Sequence, residues 1–362
     1  MTDTTVQTGL RTLPYRWYTE PRVAEVERER IFRRTWQYAG HLGELDGPGS
    51  FFPTHAGGFP VVVTLDTDAT LRAFFNVCRH RGATVAGAAA SRGTLQCPYH
   101  AWTYGLDGAL RAAPRSDLEP CFERDELGLV PVSVDTWGPF VFVNPDPDAE
   151  PLAAALGDLP EVVAAHGLDV NALEYRERQS YELRANWKVA VENYLECYHC
   201  AINHPGFVDA VDDRALWLET GATRLSQFAP VHARALGRRE PYDVHGELDM
   251  SQFHILLPAM KFNVCPGRPN LSIGPVWPLA TDRCAGYLDY FFAPGLEESW
   301  IAEFCEWDFQ VGAEDVALVE AVQAGAGSGA VEDGRLLEVT EGLIAAFQAY
   351  VRARVEPALG DG

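Results

Sequence analysis

The sequence predicts an α+β protein in which an all-β N-terminal unit precedes a mixed C-terminal unit. Runs rich in Val and Phe, bounded by Gly, Pro and Asp as is typical of small all-β units, lie at residues 59–65, 71–77 and 140–143. Residues 253–264 and 271–292 alternate apolar and polar positions, which indicates antiparallel strands. Residues 186–199 and 313–323 have helical periodicity. Strands first, then helices mixed with strands, favour the α+β class.

Helices are also expected on either side of the all-β unit. Residues 21–38 place apolar side chains at helical intervals among alternating charges, which predicts a surface helix. Residues 144–148, with the sequence NPDPD, predict a turn-rich domain boundary. We expect another helix at residues 152–166, directly after this boundary.

Length and charge limit the classes of partner. The 362 residues suffice for about two domains of ordinary size. With 51 acidic and 29 basic residues the net charge is −22, which disfavours nucleic acid and membrane surfaces as partners and favours a cationic substrate or a basic protein partner. The sequence has neither a membrane-spanning run nor a leader-like start, and its eight cysteines are too sparse for a disulfide scaffold. We therefore expect a cytoplasmic protein with reduced or metal-bound cysteines.

Two short segments combine cysteine with histidine. The first contains Cys78 and His80, and the second, after 16 intervening residues, contains Cys97 and His100. Two thiolates on one iron and two imidazoles on the other are the ligands of a Rieske [2Fe–2S] cluster. A structural zinc site also uses two Cys and two His, but zinc sites usually pair like residues, whereas each segment here mixes the two. The spacing favours the iron–sulfur cluster.

A second group of possible metal ligands lies in the C-terminal unit. On the expected helix, Glu192, Glu196 and His199 fall at i, i+4 and i+7 and so share one face. His204 directly precedes Pro205, where a helix must distort or end. Two histidines and one carboxylate form the facial triad of non-haem Fe(II), which leaves positions open for O₂ and substrate. A purely structural histidine pair is the alternative.

The carboxylate of this triad is expected on the helix at residues 313–323. Asp315 is a single acid on an otherwise apolar stripe, and Glu314, on a different face, is its rival. Cys197 and Cys200 form a C-x-x-C without the βαβ context of a thioredoxin-like site, so we interpret them as small core residues.

The two groups of ligands, in this order, resemble the oxygenase component of Rieske non-haem iron oxygenases over nearly the whole chain. The resemblance implies cluster ligands and mononuclear iron ligands, which are Cys78, His80, Cys97 and His100 for the cluster and His199, His204 and Asp315 for the iron. It also implies that Glu196 orients His199 and couples the two centres, and that Asn193 lines the iron pocket, where it positions O₂ or a water.

The same resemblance implies an organisation for the chain and its partners. Residues 1–38 would be a helical segment that packs on the catalytic domain, residues 39–148 an all-β Rieske domain, and residues 149–362 a catalytic domain with a helix-grip antiparallel sheet. The family forms head-to-tail homotrimers in which the cluster of one chain serves the iron of the next. A separate NAD(P)H-dependent reductase supplies the electrons.

One position points to a branch of this family. The acid three residues before His199 is usually Asp in ring-hydroxylating dioxygenases, but here it is Glu196, and residues 193–200 resemble the branch that acts on quaternary ammonium compounds. That branch includes carnitine, choline and glycine betaine monooxygenases and stachydrine demethylase. Aromatic faces suit a trimethylammonium group, and the candidates near the second site are Trp187, Tyr194, Tyr198, Phe207, Trp217, Trp277 and Tyr287.

The expected function is therefore O₂-dependent hydroxylation or N-demethylation of a betaine, carnitine or choline type of compound. An aromatic-ring-hydroxylating dioxygenase or an aryl O-demethylase is the alternative among enzymes. A Rieske electron-transfer protein is the alternative outside them. The sequence pattern does not identify a residue for a substrate carboxylate, and the candidates are His254, Lys261 and Arg268.

Overall fold

The computed structural model describes residues 10–360 except 234 and 236–240. The chain divides into two compact units, of which one is Phe32–Ala155 and the other joins the chain before residue 32 to the chain after residue 155. None of the helices described is long and apolar enough to cross a membrane.

The unit Phe32–Ala155 is built from antiparallel strands, which confirms the predicted all-β character. The strands are β1 (Gln37–His41), β2 (Ser50–Ala56), β3 (Phe59–Leu65), β4 (Leu71–Phe75), β5 (Ala90–Ser91), β6 (Thr94–Gln96), β7 (Thr103–Gly105), β8 (Leu110–Ala112), β9 (Pro131–Trp137) and β10 (Phe140–Asn144). Within the described residues, seven of them form a sheet in the order β1-β10-β9-β4-β3-β2-β5, and β6, β7 and β8 form a smaller sheet.

Alternation along β2 and β3 divides the core of this unit. Phe52 and Val63 belong to one buried cluster, whereas their neighbours Phe51 and Val62 belong to another. Successive side chains of a strand point to opposite faces, so the large sheet is covered on both sides. The cluster that contains Phe51 also contains Cys78 and Cys97.

The other unit packs helices against an antiparallel sheet. The helices are α1 (Pro21–Arg30), α2 (Leu152–Leu156), which spans the division between the units, α3 (Leu159–Ala165), α4 (Trp187–Tyr194), α5 (Cys200–Asn203), α6 (Pro205–Ala210), α7 (Glu298–Gly327) and α8 (Gly342–Leu359). The strands are β11 (Glu174–Leu183), β12 (Trp217–Thr220), β13 (Arg224–Pro230), β14 (Met250–Leu256), β15 (Met260–Val264), β16 (Asn270–Ala280) and β17 (Arg283–Phe292). Their order is β11-β17-β16-β15-β14-β13-β12, and α4 contacts α7, β16 and β17.

Strand register places a row of side chains on one face of this sheet. Directly opposed residues on neighbouring strands are Gln227, Phe253, Asn263, Ser272 and Tyr290. Opposed residues share a face, so the row runs across β13 to β17. Gln227 donates a hydrogen bond to the carbonyl of Tyr194, the last residue of α4. The row therefore faces that helix.

Four predicted helices differ from the observed ones, and the one predicted at 313–323 is part of the longer α7. The helix predicted at 21–38 ends at Arg30, because the following residues form a short 3-10 turn and then pair as β1. The helix predicted at 152–166 is split at Gly157, whose φ of +57° lies in the left-handed region. The helix predicted at 186–199 ends at Tyr194.

A buried ion pair anchors the start of α4. Lys188 Nζ lies 2.6 Å from Glu27 Oε1, and neither side chain is more than 2% exposed. Trp187 donates to the other oxygen of Glu27 at 2.9 Å, and Lys188 also donates to the carbonyl of Trp17. Asn186 caps the helix by accepting a hydrogen bond from the backbone N–H of Lys188. These contacts fix the helix that leads into the candidate metal site.

Candidate metal centres and substrate cavity

The two cysteine–histidine segments have the same backbone design. The N–H of Cys78 donates to the carbonyl of Ala83, and the N–H of Cys97 donates to the carbonyl of Trp102, both at 2.8 Å. Four residues after each cysteine, Gly82 and Ala101 donate back to the cysteine carbonyl at 3.0 Å. Both of these residues have positive φ, at 75° and 58°. Each segment is therefore a tight loop that presents its thiol and imidazole in a similar way.

The thiols of these loops are buried and their imidazoles are exposed. Cys78 and Cys97 are 3% and 2% exposed. The N–H of Arg79 donates to the Tyr104 hydroxyl, whose own hydrogen is thus free to donate to Cys78 Sγ at 3.2 Å. Such a donor stabilises a thiolate or a cluster sulfur.

The imidazoles of the loops lie side by side at the surface of this unit. The ring centroids of His80 and His100 are 4.7 Å apart, and the ring of His80 stacks on Trp102 at an interplanar angle of 5°. The four predicted cluster residues are thus arranged as a buried sulfur end and an exposed imidazole end. This donor set fits a Rieske cluster, which takes sulfur at one iron and nitrogen at the other.

His199, His204 and Asp315 turn one donor atom each toward a common point in the other unit. Nε2 of His204 lies 3.0 Å from both Nε2 of His199 and Oδ1 of Asp315. Nε2 of His199 lies 3.4 Å from the same Asp315 oxygen. Metal bonds of about 2.1 Å at right angles put neighbouring donors about 3 Å apart. The three groups therefore fit one face of a metal coordination sphere.

The outer nitrogens of both imidazoles also face carboxylates. Glu196 Oε1 forms a short hydrogen bond with Nδ1 of His199, and Glu314 Oε2 lies 2.8 Å from Nδ1 of His204. Gln310 donates to the other oxygen of Glu314 at 3.0 Å. Carboxylates in these positions fix the ring orientation and tautomer of metal-binding histidines.

The carboxylates make this site favourable for positive charge. Burial acts to lower the pKa of His199, but hydrogen bonds with Asp315 and Glu196 outweigh it and raise that pKa to about 9. Burial acts to raise the pKa of Asp315, but hydrogen bonds with His199, His204 and Asn193 hold it well below its usual value. A divalent metal ion meets the same electrostatic demand as the protons do.

The backbone around this site departs from the predicted single helix. After α4 ends, the carboxylate of Glu196 accepts hydrogen bonds from the N–H groups of Tyr198 and His199, so these residues form a turn. Glu192 therefore does not share a helical face with His199. It is hydrogen-bonded instead to Tyr18 and Gln348 in a separate buried network. His204 has the non-helical φ of −120° expected before Pro205, which starts α6.

A cavity of about 130 Å³ adjoins the three ligands. Three aromatic side chains line it, from Tyr194, Phe207 and Phe253. Polar side chains from the sheet and from α7 complete the wall, and these are Gln227, Lys261, Asn263 and Asp308. Tyr194 and Phe207 were among the predicted aromatics, whereas Phe253 was not.

The other predicted aromatics serve different purposes. Trp187 is fully buried against Phe347, whereas Tyr198 is 64% exposed. Trp217 stacks on Phe228, and Trp277 packs edge-on against Tyr287. None of these side chains is in the set that lines the cavity beside the three ligands.

Cys197 and Cys200 are joined by a disulfide and line the same cavity. They pack in the hydrophobic core, as predicted, but the expectation of only reduced or metal-bound cysteines is wrong. Cys78, Cys97, Cys121, Cys265, Cys284 and Cys305 are free thiols. The C-x-x-C spacing is the sequence signal for this bond, although no βαβ unit surrounds it.

Sequence reasoning also missed the role of Glu314 and the place of Asp308. Glu314 was a rival for the position of Asp315, whereas the structure gives it the opposite edge of His204. Asp308 lies seven residues before Asp315 on α7, a spacing that puts both on one helix face. That spacing was the signal that could have placed Asp308 beside the metal site.

Comparisons with known proteins identify a family match for each of two parts of the chain. Residues 170–357 match the ring hydroxylating alpha subunit (catalytic domain), and residues 35–123 match the Rieske [2Fe-2S] domain. The chain is 32% identical over 351 residues to the carnitine monooxygenase oxygenase subunit of Acinetobacter pittii, with 94% of each chain covered. It is 30% identical over 348 residues to the chloroplastic choline monooxygenase of Spinacia oleracea, with 94% of this chain and 77% of the relative covered.

Solved structures show the same similarity in three dimensions. A quaternary ammonium Rieske monooxygenase that acts in carnitine oxidation superposes with a TM-score of 0.86 at 30% identity, with 96% of both chains covered. A naphthalene 1,2-dioxygenase from Rhodococcus shares the fold, with a TM-score of 0.77 at 19% identity and with 95% of this chain and 94% of that chain covered. The chain belongs to the ring-hydroxylating α subunit family of Rieske oxygenases, whose members bind a [2Fe–2S] cluster and a mononuclear iron.

Proposed function

We propose that this chain is the oxygenase component of a monooxygenase that oxidises a quaternary ammonium compound at a carbon attached to nitrogen. The relatives named for carnitine and choline support the proposal, as do related structures described as complexes with the substrates L-carnitine and γ-butyrobetaine. O₂ is the oxidant, and a separate NAD(P)H-dependent reductase is the source of electrons.

The observation that carries the proposal is the composition of the cavity beside His199, His204 and Asp315. Its aromatic walls offer π faces to a trimethylammonium group. Its acid Asp308 accepts a hydrogen bond from Tyr290 at 2.6 Å and faces the same space. A cation held there would have its methyl or methylene carbons next to the metal ligands.

Roles for the individual residues follow from their contacts. Cys78, Cys97, His80 and His100 would hold the cluster, and His199, His204 and Asp315 the iron. When bound, the iron supplies a site at which O₂ is activated with electrons that the cluster stores. Glu196 and Glu314 orient the two imidazoles through their outer nitrogens. Asn193 donates to Asp315 and lines the cavity, so it holds that carboxylate in place and borders the space for O₂.

The overall reaction is balanced as a monooxygenation. One C–H bond becomes C–OH while O₂, two electrons and two protons are consumed and one water is released. When the hydroxylated carbon is a methyl of the ammonium group, its hydroxyl proton leaves, the C–N bond breaks, and formaldehyde and a tertiary amine are formed.

A substrate panel with purified protein and a surrogate reductase tests this function. We expect oxygen uptake and aldehyde formation with betaines, carnitine or choline, and about three irons per chain. Asp315→Ala should retain the visible spectrum of the cluster and lose both turnover and the third iron. Formation of a cis-diol from an arene, or two irons per chain with no oxygen uptake, would contradict the proposal.

We further propose a head-to-tail homotrimer in which electrons pass from one chain to the next. The exposed imidazoles of His80 and His100, with exposed Arg79 and Arg81 beside them in an acidic chain, suit docking on an acidic surface. One related structure is described in terms of inter-subunit electron transfer. Mixed oligomers of His100→Ala and Asp315→Ala chains should recover activity that neither variant has alone. No recovery in mixed oligomers of verified composition would contradict transfer between chains.

A further inference from the structure

The chain contains only two lysines among its 362 residues, and both lie inside the catalytic unit. Lys188 is fully buried and ion-paired with Glu27. Lys261, on β15, is half-buried and lines the cavity beside the metal ligands. It also lines an adjoining cavity of about 320 Å³, and Leu288 and Gly312 likewise line both cavities. Its position at both cavities makes Lys261 a candidate ligand-binding group.

The surroundings of Lys261 leave its charge available to a ligand. Its Nζ lies 5.0 Å from the ring centroid of Tyr194 and 5.5 Å from that of Tyr181. Among the described residues, no carboxylate oxygen lies within the 4 Å of Lys261 Nζ that would make an ion pair. The nearby acid Asp308 attracts Lys261 electrostatically but accepts its hydrogen bond from Tyr290. Removing an ammonium group from water without an anionic partner is unfavourable, and a bound carboxylate would supply that partner.

The two other candidates for binding a carboxylate are excluded by their positions. His254 is fully buried, shares a hydrogen bond with Ser226, and has its pKa lowered to about 3 by burial and by Arg224, so it is neutral. Arg268 is exposed and is not among the residues that line either cavity. Of the three candidates, Lys261 alone faces the space beside the metal ligands.

We propose that Lys261 binds the carboxylate of a zwitterionic substrate, so that this chain selects betaines over choline. The proposal rests on the quaternary ammonium function and makes it more specific. A ligand with both charges matches a cavity that offers aromatic faces and an acid together with one ammonium group. Choline has the same cationic end but leaves Lys261 without a partner, and its binding gains nothing from that residue.

Chemical labelling of the wild-type holoenzyme tests the contact directly. Under anaerobic conditions, acetylation of Lys261 by acetic anhydride is followed by mass spectrometry, with choline and γ-butyrobetaine as the two probes. We expect γ-butyrobetaine to slow the acetylation about tenfold or more, while choline at equal saturation slows it less than about twofold. Equal protection by the two compounds would overturn the proposal.

Kinetics of variants provide the second measurement. Lys261→Met should raise the KM for γ-butyrobetaine about 10- to 100-fold with a smaller change in kcat, so that the preference for γ-butyrobetaine over choline, measured as the ratio of their kcat/KM values, falls about tenfold or more. Lys261→Arg should keep most of the affinity for the betaine. Arg268→Met is the matched control, and it should leave the KM and kcat for both substrates unchanged.

The possible outcomes separate this inference from the function on which it rests. If betaines are oxidised but Lys261→Met leaves their KM unchanged, the carboxylate contact is wrong and the function stands. If the wild-type enzyme neither binds nor oxidises a quaternary ammonium compound, both the carboxylate contact and the proposed function are wrong. Should Lys261→Met not fold, protection of the wild-type lysine still decides the question.

Discussion

Glu314 and His204 form a contact of 2.8 Å between Oε2 and Nδ1, while the next residue, Asp315, reaches Nε2 of the same ring at 3.0 Å. Two successive acids of α7 thus hold opposite edges of one imidazole. The first fixes the orientation of the ring, and the second shares its metal-facing side. Their roles differ although they are neighbours in sequence and alike in charge.

Loss of the outer contact should weaken metal binding and leave the cluster intact. We expect Glu314→Gln to lower the iron affinity of the His199, His204 and Asp315 site about 10- to 100-fold, because the ring of His204 is no longer held by a carboxylate. Metal analysis after dialysis against a chelator should show about two irons per chain instead of three, with unchanged cluster absorbance. Glu303→Gln, an exposed position on the same helix, is the control. Equal retention of the third iron would refute a positioning role.

The buried pair between Glu27 and Lys188 should dominate the stability of the helix that precedes the metal site. Glu27→Ala leaves a buried ammonium without its partner, and we expect the free energy of unfolding to fall by about 3–5 kcal/mol. Glu25→Ala, which removes an exposed pair with Arg22, should change it by less than about 1 kcal/mol. Thermal unfolding of the two variants measures the contrast, and similar melting temperatures would argue against this assignment.

Glu192 should make stability depend on pH near neutrality. Burial raises its pKa to about 7, although hydrogen bonds from Gln348 and Tyr18 act in the opposite direction. The protonated form is therefore favoured by folding, and the associated stability is lost as pH rises from the unfolded pKa near 4.5 through 7. The free energy of unfolding of Glu192→Gln, relative to that of the wild type, should increase by up to about 3 kcal/mol between pH 5 and pH 8.

The control for this pH effect is the exposed Glu338→Gln. The difference in melting temperature between Glu338→Gln and the wild type should be the same at pH 5 and at pH 8. The measurement is the difference in melting temperature between each variant and the wild type at pH 5 and pH 8. A Glu192→Gln difference that does not change with pH would count against a neutral buried carboxyl.

A large side chain at Gly312 should block the substrate cavity. It lies inside α7, borders both cavities, and a Cβ there would meet nothing within 4 Å. Gly312→Leu should stabilise the helix by up to about 1 kcal/mol, because glycine is a poor helix former, while it raises the substrate KM tenfold or more. Gly325→Leu, also unobstructed on α7, should stabilise the helix without changing KM. An unchanged KM in Gly312→Leu would mean that the substrate lies elsewhere.

Ligand spacing carried most of the sequence prediction for the site. His199 and His204 lie five residues apart in one short segment, and Asp315 is a single acid on an otherwise apolar stripe. Patterns of this kind involve residues close together in the sequence, so they can be recognised without a structure. The mutual distances of these residues, and the loop pair of Cys78 and Cys97, follow the predicted grouping, while their roles as ligands and the domain boundaries at residues 38 and 148 stay predictions.

What sequence could not supply were contacts between distant segments. Helical periodicity continued past Tyr194, but the Glu196 side chain bonds the following N–H groups and ends the helix in favour of a turn. His254 and Lys261 looked equivalent in the sequence, and only the register of the sheet decides which one faces the cavity. The bond between Cys197 and Cys200 likewise depends on the turn that brings them together.

The continuity of α7 fixes the distance between two acids that line the cavity. Asp308 and Asp315 are seven residues apart on one continuous helix, which corresponds to an axial rise of about 10 Å. A rigid rod of this kind lets neither acid move without the other, so changes of substrate size cannot be accommodated by stretching the distance between them. Adaptation to longer or shorter ligands must come from the opposing strands, where side chains such as that of Asn263 can be exchanged one at a time without moving Asp315.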